Sequence, residues 1–152
     1  MVKLIYVLLL SAVPLIEQRG AIPLGVIIYN LNPFVVFLVS LIGSLLPAPL
    51  IFLFIEKVLE FMKRFKKLHK ITNFIERKIQ KGAKKLESYM EIGLITFVGI
   101  PLPTTGVWTG TAAAAIMGLD FKKSMVCVSI GAVISAVIIT LLSVVMPALF
   151  GF

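Results

Sequence analysis

Hydrophobic positions along the chain fall into long unbroken runs instead of the alternating stripes of a soluble fold, and the runs are of two lengths. Pro33 to Ile55 is 23 residues without a charge, or ~34 Å of helix at 1.5 Å per residue, enough to cross a ~30 Å hydrocarbon core. Ser124 to Val145 is a second stretch of the same kind. The other apolar pieces, Leu4 to Val13, Ile22 to Asn30, Ile92 to Ile100 and Val107 to Gly118, would reach only ~13–18 Å as helices, about half way across.

Two breaks separate the half-length pieces, Pro14 to Pro23 and Pro101-Leu102-Pro103-Thr104-Thr105-Gly106. Proline removes an amide donor and obstructs the preceding turn, and glycine permits a reversal of the backbone. Each break can therefore turn a helix back to the side it entered from, giving two re-entrant hairpins. Broken backbone at membrane depth needs protein or a water-filled cavity around it, so the two tips are expected to face each other inside the protein. Two kinked spanning helices, Leu4 to Asn30 and Ile92 to Gly118, are the alternative. Lys3 with the following apolar run and Ser11-Ala12 resembles a signal peptide, but more apolar chain follows and the run is read as part of the membrane domain.

A shift of 88 positions aligns Leu31-Asn32-Pro33 with Leu119-Asp120-Phe121, Ile42-Gly43 with Ile130-Gly131, Ile51 with Ile139 and Leu53 with Leu141. Chance identities are common in apolar helices, yet the order of hairpin, polar turn and spanning helix recurs with them. The expected fold is an all-α integral membrane domain over residues 1–152. It has a first repeat at 1–55, a basic amphipathic linker at 56–90 and a second repeat at 91–152.

Composition agrees with a bilayer as solvent, since 59% of residues are hydrophobic and 14% charged. Of the formal charge of +8, +7 lies between Glu56 and Ser88, where eleven Lys and Arg face four Glu. A basic segment joining two membrane-embedded halves is read as a cytoplasmic loop, not as a nucleic-acid patch, and its apolar residues Val58, Phe61, Met62, Phe65 and Leu68 recur at helical spacing. With residues 56–88 in the cytoplasm of a plasma-membrane protein, Pro33 lies outside. The first hairpin then enters from outside and the second from the cytoplasm, so the repeats are inverted. Inverted repeats with broken helices are the architecture of secondary transporters.

Little classical chemistry is available. His69 and Cys127 are single copies of their residue types and Asp120 is the sole Asp, which argues against hydrolytic enzymes, metal centres and cofactor sites. His69 is read as a headgroup-facing residue and Cys127 as apolar packing. Charge in the first break is the exception. Glu17 and Arg19 sit in an otherwise apolar stretch, where a charge at the bilayer centre costs about 2.5 to 3.5 kcal/mol and needs a compensating partner. They form a structural pair, or Arg19 clamps a phosphate through its planar fork and Glu17 carries a proton. In the second break Thr105 and Thr109, with Thr104 and Thr111, offer hydroxyls to freed backbone groups or to substrate oxygens. Trp108 is an interface anchor or a gate. Gly106, Gly110, Ala114 and Gly118 recur every four residues, a bare helix face for close packing.

The run Glu17-Gln18-Arg19-Gly20-Ala21-Ile22-Pro23-Leu24-Gly25, followed by Pro101-Leu102-Pro103-Thr104-Thr105-Gly106-Val107-Trp108-Thr109-Gly110, resembles the paired signatures of the small multi-drug export protein family. Gln18 stands where that family usually has Leu, and Thr104 where it has Gly. More distantly the arrangement is similar to the DedA and VTT superfamily, whose re-entrant hairpins carry acidic and arginine residues and whose members are implicated in moving lipids.

The resemblance implies a transporter or flippase for a lipid, a polyprenyl phosphate or a similar anionic amphiphile. A multidrug exporter and a non-transporting assembly factor are the alternatives. The residues expected at the transport site are Glu17, Arg19, Gly20, Pro23, Pro101, Pro103, Thr104, Thr105, Gly106, Trp108 and Thr109. Expected partners are anionic or phosphate-bearing membrane lipids and a second copy of the chain, without nucleic acid, metal or cofactor.

Overall fold

A computed structural model describes residues 2–63, 89–102 and 105–150, and their regular structure is helical throughout. Most of the basic linker, together with Pro103 and Thr104, lies outside the described residues. The first helix, α1 (Val2–Ala12), ends where Pro14 follows. Leu15 and Glu17 then adopt left-handed backbone, with φ of 76° and 46°, and the chain turns into α2 (Glu17–Pro23). The helix therefore resumes earlier than the sequence implies, and Pro23 lies inside it. Proline there cannot donate to the preceding turn, and the helix answers by widening into a π-turn over Leu24–Ile28, in which the Tyr29 amide donates to the Leu24 carbonyl at 3.0 Å.

Asn32 caps the next helix, α3 (Pro33–Leu45), accepting from the amides of Phe34 at 2.9 Å and Val35 at 3.4 Å, with Pro33 preset for the first helical position. After a turn at Leu46-Pro47 the chain continues as α4 (Ala48–Lys63). Pro47 and Pro49 each lack an amide to donate and are the residues expected from the sequence to kink the first span near its middle, which is where the interruption between α3 and α4 falls. The second half contains α5 (Tyr89–Gly99), α6 (Val107–Ile116) and α7 (Phe121–Phe150). Gly118, at φ 69°, closes α6, and Asp120 caps α7 by accepting from the Lys123 amide at 3.1 Å.

Two helical stretches are long and apolar enough to cross a membrane, Pro33–Phe61 and Phe121–Pro147, and they contain the two runs read from the sequence. Their outward faces stay apolar: Ile42, Leu50 and Phe54 on one and Val126, Ile130 and Leu141 on the other are all exposed. Such surface suits hydrocarbon and would be a liability in water. The chain is a membrane protein with an all-helical fold.

Packing brings the two spans together antiparallel. Val36 shares a buried cluster with Ile139, Gln18 bridges Ser44 to Ala132, and the rings of Phe52 and Phe121 meet edge to face at 5.3 Å. As one numbering rises the other falls. Around this pair, α3 packs on α1 and α2, while α4 packs on α6. Features 88 residues apart recur. A methyl on Gly43 would lie 2.6 Å from the Leu8 carbonyl of α1, and one on Gly131 would lie 2.8 Å from the Ile95 carbonyl of α5. Asn32 and Asp120 are both caps, and Asn30 and Gly118 before them both have left-handed backbone.

Candidate functional site

The site is built where the start of α2 meets the start of α6. Gly106 precedes α6 in extended backbone with φ 165° and has no side chain to cap it. Glu17 supplies the cap from the other half of the chain. Its carboxylate accepts from the Trp108 amide at 3.0 Å and the Val107 amide at 3.3 Å, and the residue is only 5% exposed. Those amides belong to the first turn of a helix, where no carbonyl of the helix can accept from them and the aligned peptide dipoles favour an anion. Gly106 must be bare for this, because a methyl there would lie 2.8 Å from the carboxylate carbon of Glu17. The left-handed backbone at Glu17, of a kind that costs about 1–3 kcal/mol in a non-glycine residue, is held by the same contacts.

Arg19 reaches the other strand of the second break. Its guanidinium donates to the Leu102 carbonyl and, at 3.0 Å, to the Thr105 hydroxyl. Thr105 is in turn within bonding distance of the Ile100 carbonyl at 2.8 Å, so the hydroxyl ties Arg19 to the end of α5. Trp108 completes the clasp from the opposite direction, its indole N–H donating to the Ala12 carbonyl at the end of α1 at 3.2 Å. Among the described residues no ion pair joins Glu17 to Arg19. Each charge is matched across the two breaks by dipoles, the carboxylate by helix-start amides and the guanidinium by a carbonyl and a hydroxyl.

Between these groups lies a cleft of about 70 Å³ lined by Pro14, Leu15, Glu17, Arg19, Thr105, Trp108 and Thr109. At ~30 Å³ per water in the liquid, it holds roughly two waters and no lipid headgroup. A larger groove of about 430 Å³, between the π-turn and the far end of α7, has no charged residue in its lining. The charged residues of the two breaks line the small cleft and not the larger groove.

The remaining sequence candidates divide. Thr109 is exposed, its hydroxyl within 3.4 Å of the Gly106 carbonyl. Gly20 is exposed beside Ile16, Pro23 leads into the π-turn, and Pro101 follows the end of α5. The face of small residues on α6 is used within the chain: Gly106 admits Glu17, and Gly110 sits against Val98 of α5, where a methyl would collide. It therefore carries no argument for a dimer. Gly118 is the helix-ending residue.

Sequence reasoning passed over Gln18 as a functional element. It is 2% exposed, donates to the Ala132 carbonyl of α7 at 2.9 Å, and its side-chain oxygen lies 3.3 Å from the Ser44 hydroxyl of α3. A neutral polar residue inside an apolar run was the available signal, since a buried amide must find partners.

Residues 17–138 match the family described as putative small multi-drug export protein. The chain belongs to this family. The match opens at Glu17 itself and takes in the first break from there on, the whole of the second break, the first span and the greater part of the second. By its description the family is one of exporters, a transporter class and not an enzyme class. No curated protein matches the chain, and no solved structure does.

Proposed function

We propose that the protein is a membrane transporter built from two inverted repeats with re-entrant hairpins, and that the clasp between Glu17, Arg19 and the second break is its closed gate. The observation that carries this reading is the cross-break geometry. The two charged side chains of the first break hold the second break, around a cleft too small for cargo. Cargo would pass only if that contact opened.

The antiparallel spans support the inverted arrangement. Gln18 bridges Ser44 of one span to Ala132 of the other, and these two are 88 residues apart and thus equivalent positions under the repeat. Two copies of one unit related by a two-fold axis in the membrane plane would cross at equivalent residues in this way. The paired glycines, caps and left-handed turns at the same spacing point the same direction. Such a molecule can expose one site alternately to either side.

The cargo we favour is a lipid or polyprenyl phosphate, or a similar anionic amphiphile. Arg19 has donors suited to phosphate oxygens, and the amides at the start of α6 already hold one anion, the Glu17 carboxylate. Protonation of Glu17 would remove the charge those amides hold and loosen the gate, which gives a route to proton coupling. The family description favours small-molecule drugs as cargo instead, and a dye-efflux assay separates the two. Topology follows the basic linker, with residues 56–88 in the cytoplasm and the membrane being the plasma membrane.

The test is translocation of a fluorescent phospholipid or polyprenyl phosphate in proteoliposomes, measured beside thermal stability in detergent. Glu17→Gln should remain folded and lose the response of transport to a pH gradient. Arg19→Ala should lose transport altogether. Unchanged translocation by both variants, well folded, would sink the proposal.

A further inference from the structure

The groove between the π-turn and the end of α7 has room for a ligand. Its volume of about 430 Å³ falls in the ~300–1,000 Å³ range of small-molecule sites. Pro33, which opens the first membrane-crossing stretch, and Pro147, which closes the second, both line it. The groove therefore lies at one boundary of the bilayer, at the level where lipid headgroups give way to tails.

Polar atoms form much of the groove wall, although its side chains are apolar apart from Asn30 and Ser143. The Ser143 hydroxyl is already spent on the Ile139 carbonyl at 2.7 Å. What remains is the Asn30 carboxamide and main chain, and three carbonyls of that main chain lack their usual donors. Residue 147 would normally donate to the Ser143 carbonyl, but it is a proline inside α7. A helix carbonyl points toward the residue four ahead, so this one lies on the face that Ser143 and Pro147 share with the groove. At the end of the π-turn the Tyr29 amide bonds to Leu24 and the Leu31 amide to Gly25, both at 3.0 Å, and among the described residues no hydrogen bond is made to the Val26 or Ile27 carbonyl. Carbonyls of a last turn point past the helix end, here toward Asn30 and Pro33 of the same wall.

The occupant must therefore donate hydrogen bonds, and the charges nearby restrict it further. An anionic headgroup would face carbonyl oxygens at the negative end of a helix. A cationic one finds no acidic side chain in the lining, and Lys3 already lies over the Tyr29 ring, 5.5 Å from its centroid. A neutral headgroup bearing hydroxyls satisfies the carbonyls, and Val26, Ile27 and Val144 offer apolar wall to a chain attached to it. We infer that the groove binds a neutral glycerolipid, its free hydroxyls on these carbonyls and the Asn30 carboxamide and one acyl chain along the apolar wall. This inference is independent of the transport reading and concerns a lipid other than the phosphate-bearing cargo.

The test is thermal unfolding of the full chain in detergent micelles titrated with monoolein, which carries two free hydroxyls on one acyl chain. Monoolein should raise the Tm. Methyl oleate, which has no donor, oleylamine, which is cationic, and oleoyl lysophosphatidic acid, which is anionic, should raise it less at the same mole fraction. Two variants address the groove without threatening the fold. Pro147→Ala returns an amide to the Ser143 carbonyl, and Asn30→Gly removes the carboxamide while accepting the left-handed backbone at φ 51°. Each should weaken the response to monoolein about 2- to 10-fold, the worth of one neutral hydrogen bond. Equal shifts with methyl oleate, a larger shift with either charged lipid, or an unchanged monoolein response in both variants would overturn the inference.

Discussion

Adding one methyl group at Gly106 isolates the Glu17 clasp more cleanly than changing Glu17 itself. The backbone at Gly106 is extended, with φ 165°, so alanine is conformationally acceptable and its cost comes from what the methyl meets. That neighbour is the Glu17 carboxylate, whose carbon would lie 2.8 Å from the new Cβ. The carboxylate must withdraw and release the Val107 and Trp108 amides. Hydrogen bonds to a charged group contribute about 1.5–3 kcal/mol each, so losing two costs at least ~3 kcal/mol. For a chain of this size that corresponds to a fall in Tm of about 6–12 °C. The assay is thermal unfolding in mild detergent, run as a cycle with Glu17→Ala. With the carboxylate already gone, the three atoms nearest the Gly106 methyl are removed and its effect should drop to within about 0.5 kcal/mol of zero. Equal losses in both backgrounds would refute the clasp as the reason for the glycine.

Four other outcomes follow from the same geometry. Arg19→Lys keeps the charge but cannot reach the Leu102 carbonyl and Thr105 hydroxyl with a planar fork, so a loss of about 1–2 kcal/mol in detergent unfolding is expected, with translocation impaired although charge is conserved. Thr105→Val preserves shape and deletes the hydroxyl shared by Arg19 and Ile100; a Tm unchanged by it would mean the hydroxyl is dispensable, against an expected cost of about 1–2 kcal/mol. Gly43→Ala and Gly131→Ala both push a methyl against a neighbouring helix's carbonyl, and each should cost about 1–3 kcal/mol; a penalty at only one would break the equivalence of the two halves. Introduced cysteines at Asn30 and Lys122, in a Cys127→Ser background, should label from opposite sides of the membrane, and labelling of both from one side would end the inverted topology.

How far the sequence reveals this molecule depends on how local each cause is. Pro14 and Pro101 stop α1 and α5 through their own rings, and Asn32 and Asp120 cap helices through their own side chains, so these features are readable in place. Pro23 misleads because a proline inside a helix has two outcomes, a break or a local widening, and the surrounding packing selects the π-turn. Glu17 and Arg19 stand out as charges in an apolar run, but their partners are backbone groups around ninety positions away, and backbone groups leave no mark in composition. Gly106 looks like part of a packing face and serves to admit a carboxylate. Gly43 and Gly131, 88 residues apart, each meet a neighbouring helix's backbone, whereas the aligned Ile and Leu pairs are as compatible with chance.

The central claim is that the two breaks must part for cargo to pass. Cysteines at Ala12 and Trp108, in a Cys127→Ser background, sit where the indole now meets the end of α1. A short reducible bifunctional thiol reagent can join them in proteoliposomes. If the clasp is the gate, the cross-link forms readily, lipid-phosphate translocation stops, and a reductant restores it. Translocation at the full rate in quantitatively cross-linked protein would contradict the account.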